Sequence, residues 1–174
     1  PGACAMPLAA PWDGTVGLPL PSTDVSIRDD DFNELPVWTG AGDIGKHTGE
    51  LCIRGPQVMQ GYWNNPAETA DVLRAGWLKT GDIGHVDDQG RVTITDRKKD
   101  MILVSGFNVY PTEVESVVAA HPGVLECAVV AVPDDRTGEA VKVVIVRNDP
   151  ELTQDDVIAH CRTLLTSYKL PRHV

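Results

Sequence analysis

Five charged residues in a row, Asp96-Arg97-Lys98-Lys99-Asp100, separate two short apolar strand patterns. Arg91-Val92-Thr93-Ile94-Thr95 runs before them and Met101-Ile102-Leu103-Val104 after them. Such a run cannot lie inside one sheet without losing its solvation. It therefore reads as a solvated joint between two units, residues 1–96 and residues 97–174. A chain of 174 residues suits one ordinary domain or two small ones.

The two sides of the joint carry different patterns. Val16 to Pro21 and Val25-Ser26-Ile27 suggest short strands joined by tight turns, and Asp29-Asp30-Asp31 reads as a solvated loop. Gly49 to Gly55 alternates, with Leu51 and Ile53 on one face. Asn65 to Leu73 predicts a short helix, with Pro66 suited to its first turn. Ile83–Val86 and Arg91–Thr95 predict a hairpin across Asp87-Asp88-Gln89-Gly90. Beyond the joint, Pro111 opens a helix with Glu113 and Glu115 near its positive end and Val114, Val117 and Val118 as its buried stripe. Cys127–Val132 and Val141–Val146 are β-branched strands. Thr153 and Asp156 stand at capping-box spacing ahead of a second helix. The expected class is α+β: a mostly β part, then a small α+β domain with helices packed on a three-stranded, largely antiparallel sheet.

Composition narrows the function. The formal net charge of −10 argues against a general nucleic-acid binder, because phosphate backbones need a basic surface. It leaves small phosphorylated ligands open. Cys4, Cys52, Cys127 and Cys161 are scattered without metal-type pairing or a disulfide framework, which fits idle thiols in a reducing cytoplasm. No metal site is expected. No run is long and apolar enough to cross a bilayer. The chain opens on Pro1-Gly2-Ala3 and closes on Arg172-His173-Val174, which reads as a piece cut from a longer protein.

Single motifs here are weak. Thr80-Gly81-Asp82 alone could be a strand-opening turn, Arg97 a surface charge, and Gly106 a turn glycine. Their joint order is specific: Gly49-Glu50-Leu51, then Gly55 to Trp63, then Gly76-Trp77-Leu78-Lys79-Thr80-Gly81-Asp82, then Asp96 to Asp100, then Ser105-Gly106-Phe107 and Pro111-Thr112-Glu113-Val114-Glu115. Nearly the whole chain resembles the adenylate-forming (AMP-binding) superfamily. Within it, Gln57-Val58-Met59, Lys98 to Pro111 and Gly138 to Lys142 look most like the bacterial long-chain fatty-acid–CoA ligases.

The resemblance implies an enzyme with fatty acid, ATP and CoA as substrates and Mg2+ as a helper held outside these residues. It implies the end of a large AMP-binding domain in 1–96 and most of a small mobile domain in 97–174. By motif, Asp82 and Arg97 contact the nucleotide ribose and Lys99 is the pivot. Ser105, Gly106 and Phe107 line the CoA passage. The phosphate-holding loop, the magnesium motif and the acyl tunnel have no counterpart here. The adenylation lysine falls beyond Val174 and Lys169 does not occupy its motif, so the chain alone is expected to be inactive. Rival readings are an aryl-CoA ligase, a peptide-synthetase adenylation domain and a non-catalytic binding module. A fatty-acid substrate also allows the full enzyme peripheral contact with a membrane, although no basic amphipathic helix argues for it.

Overall fold

The computed structural model of the chain describes residues 2–7 and 11–174; Pro1, the first residue of the opening Pro1-Gly2-Ala3, lies outside them. Contacts divide the molecule into two units, Pro1–Lys98 and Lys99–Val174, so the division falls inside the charged run.

The first unit is built on antiparallel strands. β1 (Cys4–Ala5) and β2 (Leu18–Pro19) form a small pair. β3 (Asp24–Arg28) and β4 (Gly49–Arg54) precede helix α1 (Pro66–Val72), and β5 (Leu73–Arg74), β6 (Trp77–Val86) and β7 (Val92–Arg97) follow it. The main sheet runs β3-β4-β6-β5, with β7 also paired to β6. Asn65 caps α1 by accepting from Glu68 N, and Pro66 takes the first turn as expected, where its missing N–H costs nothing. The Asp87–Gly90 turn is closed by the Asp87 carboxylate, which accepts from Gln89 N and Arg91 N. Ile27, Leu51, Ile53 and Val92 form the core. The alternation in β4 places Leu51 and Ile53 on that core, yet Glu50 and Cys52 on the other face are buried too.

The second unit contains β8 (Ile102–Val104), β9 (Phe107–Val109), α2 (Pro111–Ala119), β10 (Val124–Asp134), β11 (Gly138–Arg147) and α3 (Gln154–Leu164). The class is α+β, as the sequence predicts. The sheet has one strand more than the three expected: among the described residues it is four-stranded, in the order β10-β11-β8-β9. The glycine loop after Val104 turns out to be a two-residue hairpin turn, with Ser105 at φ 52 and Gly106 at φ 83. Positive φ at both positions matches the turn whose twist suits a tight hairpin. It lets Phe107 pair with Val104 and continue as a strand. Val114 and Val118 of α2, Val157 and Cys161 of α3, and Ile102, Val109, Val141 and Val143 of the sheet are fully buried together. The Thr153–Asp156 capping box is formed in both directions. No helix among the described residues is long and apolar enough to cross a membrane.

One buried group of the first unit gives it a pH dependence. His85 is 6% exposed, with Trp38 edge-on to it at 5.4 Å and no hydrogen-bond partner on Nδ1. Burial lowers its pKa below the usual 6.5; Asp87 pulls the other way and His47 adds to the lowering. In the unfolded chain His85 therefore takes up its proton at higher pH than in the folded one. Stability should fall as pH drops through about 6.5 and stop falling below the depressed folded value. All four tryptophans, Trp12, Trp38, Trp63 and Trp77, lie in the first unit, so their fluorescence follows its melting. The drop in Tm between pH 7.5 and 5 should be smaller in His85→Gln than in the parent chain. Equal drops would assign the acid sensitivity to other groups.

Candidate functional site

β6 leaves its regular ladder at Thr80-Gly81-Asp82. Opposite it, β4 passes from Glu50 to Cys52 while β6 passes from Ile83 to Lys79, so two extra residues arch out of the β4 side. Gly81 takes a left-handed φ of 75. Thr80 Oγ1 donates to Leu51 O at 2.8 Å and accepts from Asp82 N at 3.1 Å. On the other side, Asp82 pairs directly with Arg97 of β7, and a second irregularity follows between Ile83 and Gly84. Asp82 is thus held between two bulges, which re-aim a side chain out of the pleat.

The structure brings two of the sequence-predicted residues together here. Arg97 Nε lies 2.9 Å from Asp82 Oδ1, with the carboxylate 19% and the guanidinium 63% exposed. Oδ1 is itself buried and accepts no hydrogen bond, so the guanidinium stands beside it as a charge without aiming an N–H at it. An ion pair this open contributes about 0–1 kcal/mol to folding. A partly exposed carboxylate beside an exposed guanidinium suits a vicinal diol. The carboxylate can accept from two neighbouring hydroxyls, and the guanidinium can donate to their oxygens.

Behind the pair lies a charge cluster to which the sequence reading gave no role. Glu50 is buried, its side chain 6% exposed. Its Oε1 accepts from Gly81 N at 3.2 Å and its Oε2 from Lys98 Nζ at 3.0 Å, with Lys79 Nζ 3.9 Å from Oε2. Lys98 Nζ also donates to Asp30 Oδ1 at 2.7 Å. Burial lowers the Lys98 pKa, but the hydrogen bonds and charges of Asp30 and Glu50 outweigh it, and the net shift is upward. The neighbouring Cys52 thiol is pushed up to about 11, by burial first and by the Glu50 charge second, so it stays protonated at neutral pH. A glutamate inside the alternating strand Gly49 to Gly55 was the available signal.

The remaining candidates sit elsewhere. Lys99 is exposed in the single turn Lys98–Asp100. Ser105 and Gly106 form the β8–β9 turn, anchored by Ser105 N donating to Thr137 O at 2.9 Å. Nothing lies within 4 Å of where a Gly106 side chain would start. Phe107 is exposed and stacks on Tyr168 at 4.9 Å, a contact the sequence did not suggest. Lys169 is held by both oxygens of Glu113 at 2.6 Å, a structural ion pair.

Residues 1–63 match the profile of the AMP-binding enzyme family, and residues 113–174 that of the AMP-binding enzyme C-terminal domain. The chain is 56% identical to a long-chain-fatty-acid–CoA ligase of Yersinia pestis over 94% of this chain and 28% of that protein. Among solved structures it resembles the amide bond synthetase McbA from Marinactinospora thermotolerans, with 42% identity and a TM-score of 0.76 over 92% of this chain and 31% of that one. It also resembles ATP-bound MatB from Rhodopseudomonas palustris, with 38% identity and a TM-score of 0.80 over 91% of this chain and 31% of that one. The chain spans a little over a quarter of the length of the curated relatives, 28% of the one from Y. pestis.

Proposed function

The chain belongs to the AMP-binding enzyme family, and we propose that it is the ribose-contacting and hinge-bearing part of a long-chain fatty-acid–CoA ligase. In that reaction a fatty-acid carboxylate attacks the α-phosphate of ATP, forming acyl-adenylate and releasing pyrophosphate. The CoA thiolate then attacks the acyl carbon, forming the thioester and releasing AMP. Asp82 accepts from both ribose hydroxyls and Arg97 donates to the same sugar. Lys99 is the pivot between the two steps, exposed as a rotating joint must be. Ser105, Gly106 and Phe107 border the CoA passage, where the open space at Gly106 leaves room for a thin ligand. Magnesium belongs to the same reading as the escort of the nucleotide's phosphates, with no ligand assigned to it among these residues.

The observation that carries the reading is the Asp82–Arg97 pair, a carboxylate and an exposed guanidinium set side by side on paired strands. The long-chain acyl preference is supported by the identity to the Y. pestis protein. The test is Asp82→Ala in the full-length enzyme. Hydrogen bonds to a charged acceptor contribute roughly 1.5–3 kcal/mol each, so the ATP dependence of pyrophosphate exchange with a fatty acid should weaken at least tenfold. An unchanged ATP dependence would return Asp82 to a turn-forming role. Faster exchange with benzoates or amino acids than with fatty acids in the parent enzyme would move the proposal to another branch of the family.

A further inference from the structure

The residue before Asp82 and the residue after Arg97 both reach one side chain, the first through its backbone N–H and the second through its ammonium. Glu50 takes Gly81 N on Oε1 at 3.2 Å and Lys98 Nζ on Oε2 at 3.0 Å. The arch of β6 carries Gly81 off the β4 ladder, so its N–H bonds to the Glu50 carboxylate rather than to a strand carbonyl. Glu50 comes from β4, the neighbour across from the arch, and its side chain is 6% exposed. A carboxylate is withdrawn from water this far only where donors replace its hydration. Here those donors are the groups that flank the two candidate ribose contacts.

We propose that Glu50 is a positioning residue for the nucleotide ribose, its buried carboxylate fixing the backbone N–H before Asp82 with one oxygen and, together with Asp30, anchoring the ammonium of the residue after Arg97 with the other. The inference rests on the reading of Asp82 and Arg97 as the ribose pair. Glu50 does not touch the nucleotide. It sets the height of the arch that carries Asp82 and ties down the strand end that carries Arg97. A carboxylate and a guanidinium that chelate a diol need a fixed separation, and small misplacements of such groups weaken binding steeply.

The test uses the full-length enzyme and follows pyrophosphate exchange with ATP and with 2′-deoxy-ATP. Glu50→Gln keeps the shape but removes one of the two carboxylate charges on Lys98, Asp30 keeping the other. It should raise the KM for ATP about tenfold and the KM for 2′-deoxy-ATP less, because the second nucleotide already lacks one of the two hydroxyls. Added to the pair Asp82→Ala and Arg97→Ala, it should cause little further change, since it acts through those two residues. Should Glu50→Gln fold poorly, the double variant E50Q/K98M removes the buried carboxylate together with its partly exposed ammonium partner, which proteins tolerate better than removing one member of a pair. It should keep the parent's Tm and show the same ATP defect. A buried charge serving only the fold would lower Tm and leave the discrimination between the two nucleotides unchanged. If Asp82→Ala weakens ATP use but Glu50→Gln and E50Q/K98M both stay within about twofold of the parent, the positioning role is overturned and the ribose pair stands. If Asp82→Ala has no effect, the ribose reading falls and this inference with it.

Discussion

Gly84→Ala should unfold the first unit at temperatures where the parent chain is intact. Gly84 lies mid-strand in β6, opposite Gly49 on one side and Ile94 on the other. A methyl group built there would stand 2.1 Å from Thr93 O, 3.1 Å from Thr93 C and 3.3 Å from Ile94 Cα. All three atoms are backbone, so no side-chain rotation relieves the overlap. β7 would have to retreat from β6. With it would go the Asp82–Arg97 register and the seat of Val92, which is fully buried in the core. Overpacking against immovable atoms sits at the upper end of the usual range, about 3 kcal/mol or more. For a unit of this size each kcal/mol lowers Tm by roughly 4–8 °C, so a fall of more than about 12 °C is expected. Tryptophan fluorescence reads it directly, because every tryptophan belongs to this unit. A Tm within about 2 °C of the parent would mean that the strands reseat around the methyl, and that the close approach carries no constraint.

The Gly84 contact shows where sequence reasoning stopped. Apolar alternation and β-branched runs located the long strands, because burial of one face writes a period of two into the chain. Helix-start chemistry is legible in the sequence, since Pro66, Pro111, Thr153 and Asp156 act within a few residues of themselves. The bulges at Thr80–Asp82 and Thr95 left no such trace. A bulge is a mismatch between two strands, and neither strand alone records it. The partners of Glu50 leave no trace for the same reason. Its position in β4 is local, but its partners Gly81 and Lys98 are 31 and 48 residues away. The short strand Phe107–Val109 carries no sequence signal of its own, because Ser105-Gly106 reads as an open loop until the paired positive φ values make it a hairpin. Asp82 and Arg97 were legible as motif residues. Their cross-strand pairing, and the buried oxygen that accepts no hydrogen bond, needed the fold.

Lys99→Pro should separate the two half-reactions of the full-length enzyme. The proposal makes Lys99 the residue whose backbone rotates between adenylation and thioester formation. Proline fixes φ near −65° and steers the residue before it away from helical ψ. That preceding residue is Lys98, which opens the turn Lys98–Asp100 and whose ammonium is bound to Asp30 and Glu50. A proline at 99 therefore acts on a joint with one side already fastened, and it leaves the chain fewer ways to reach a second arrangement. The fold should survive, because Lys99 is exposed and belongs to neither buried cluster. One half-reaction should then collapse while the other keeps most of its rate. Loss of a required conformational step removes turnover far more completely than loss of a single contact, so a drop of at least about a hundredfold is expected in the affected step. Pyrophosphate exchange measures acyl-adenylate formation, and transfer of preformed acyl-adenylate to CoA measures the second step. Equal loss in both, with Tm unchanged, would make Lys98-Lys99 a plain charged linker and place the rotation at another residue of the charged run.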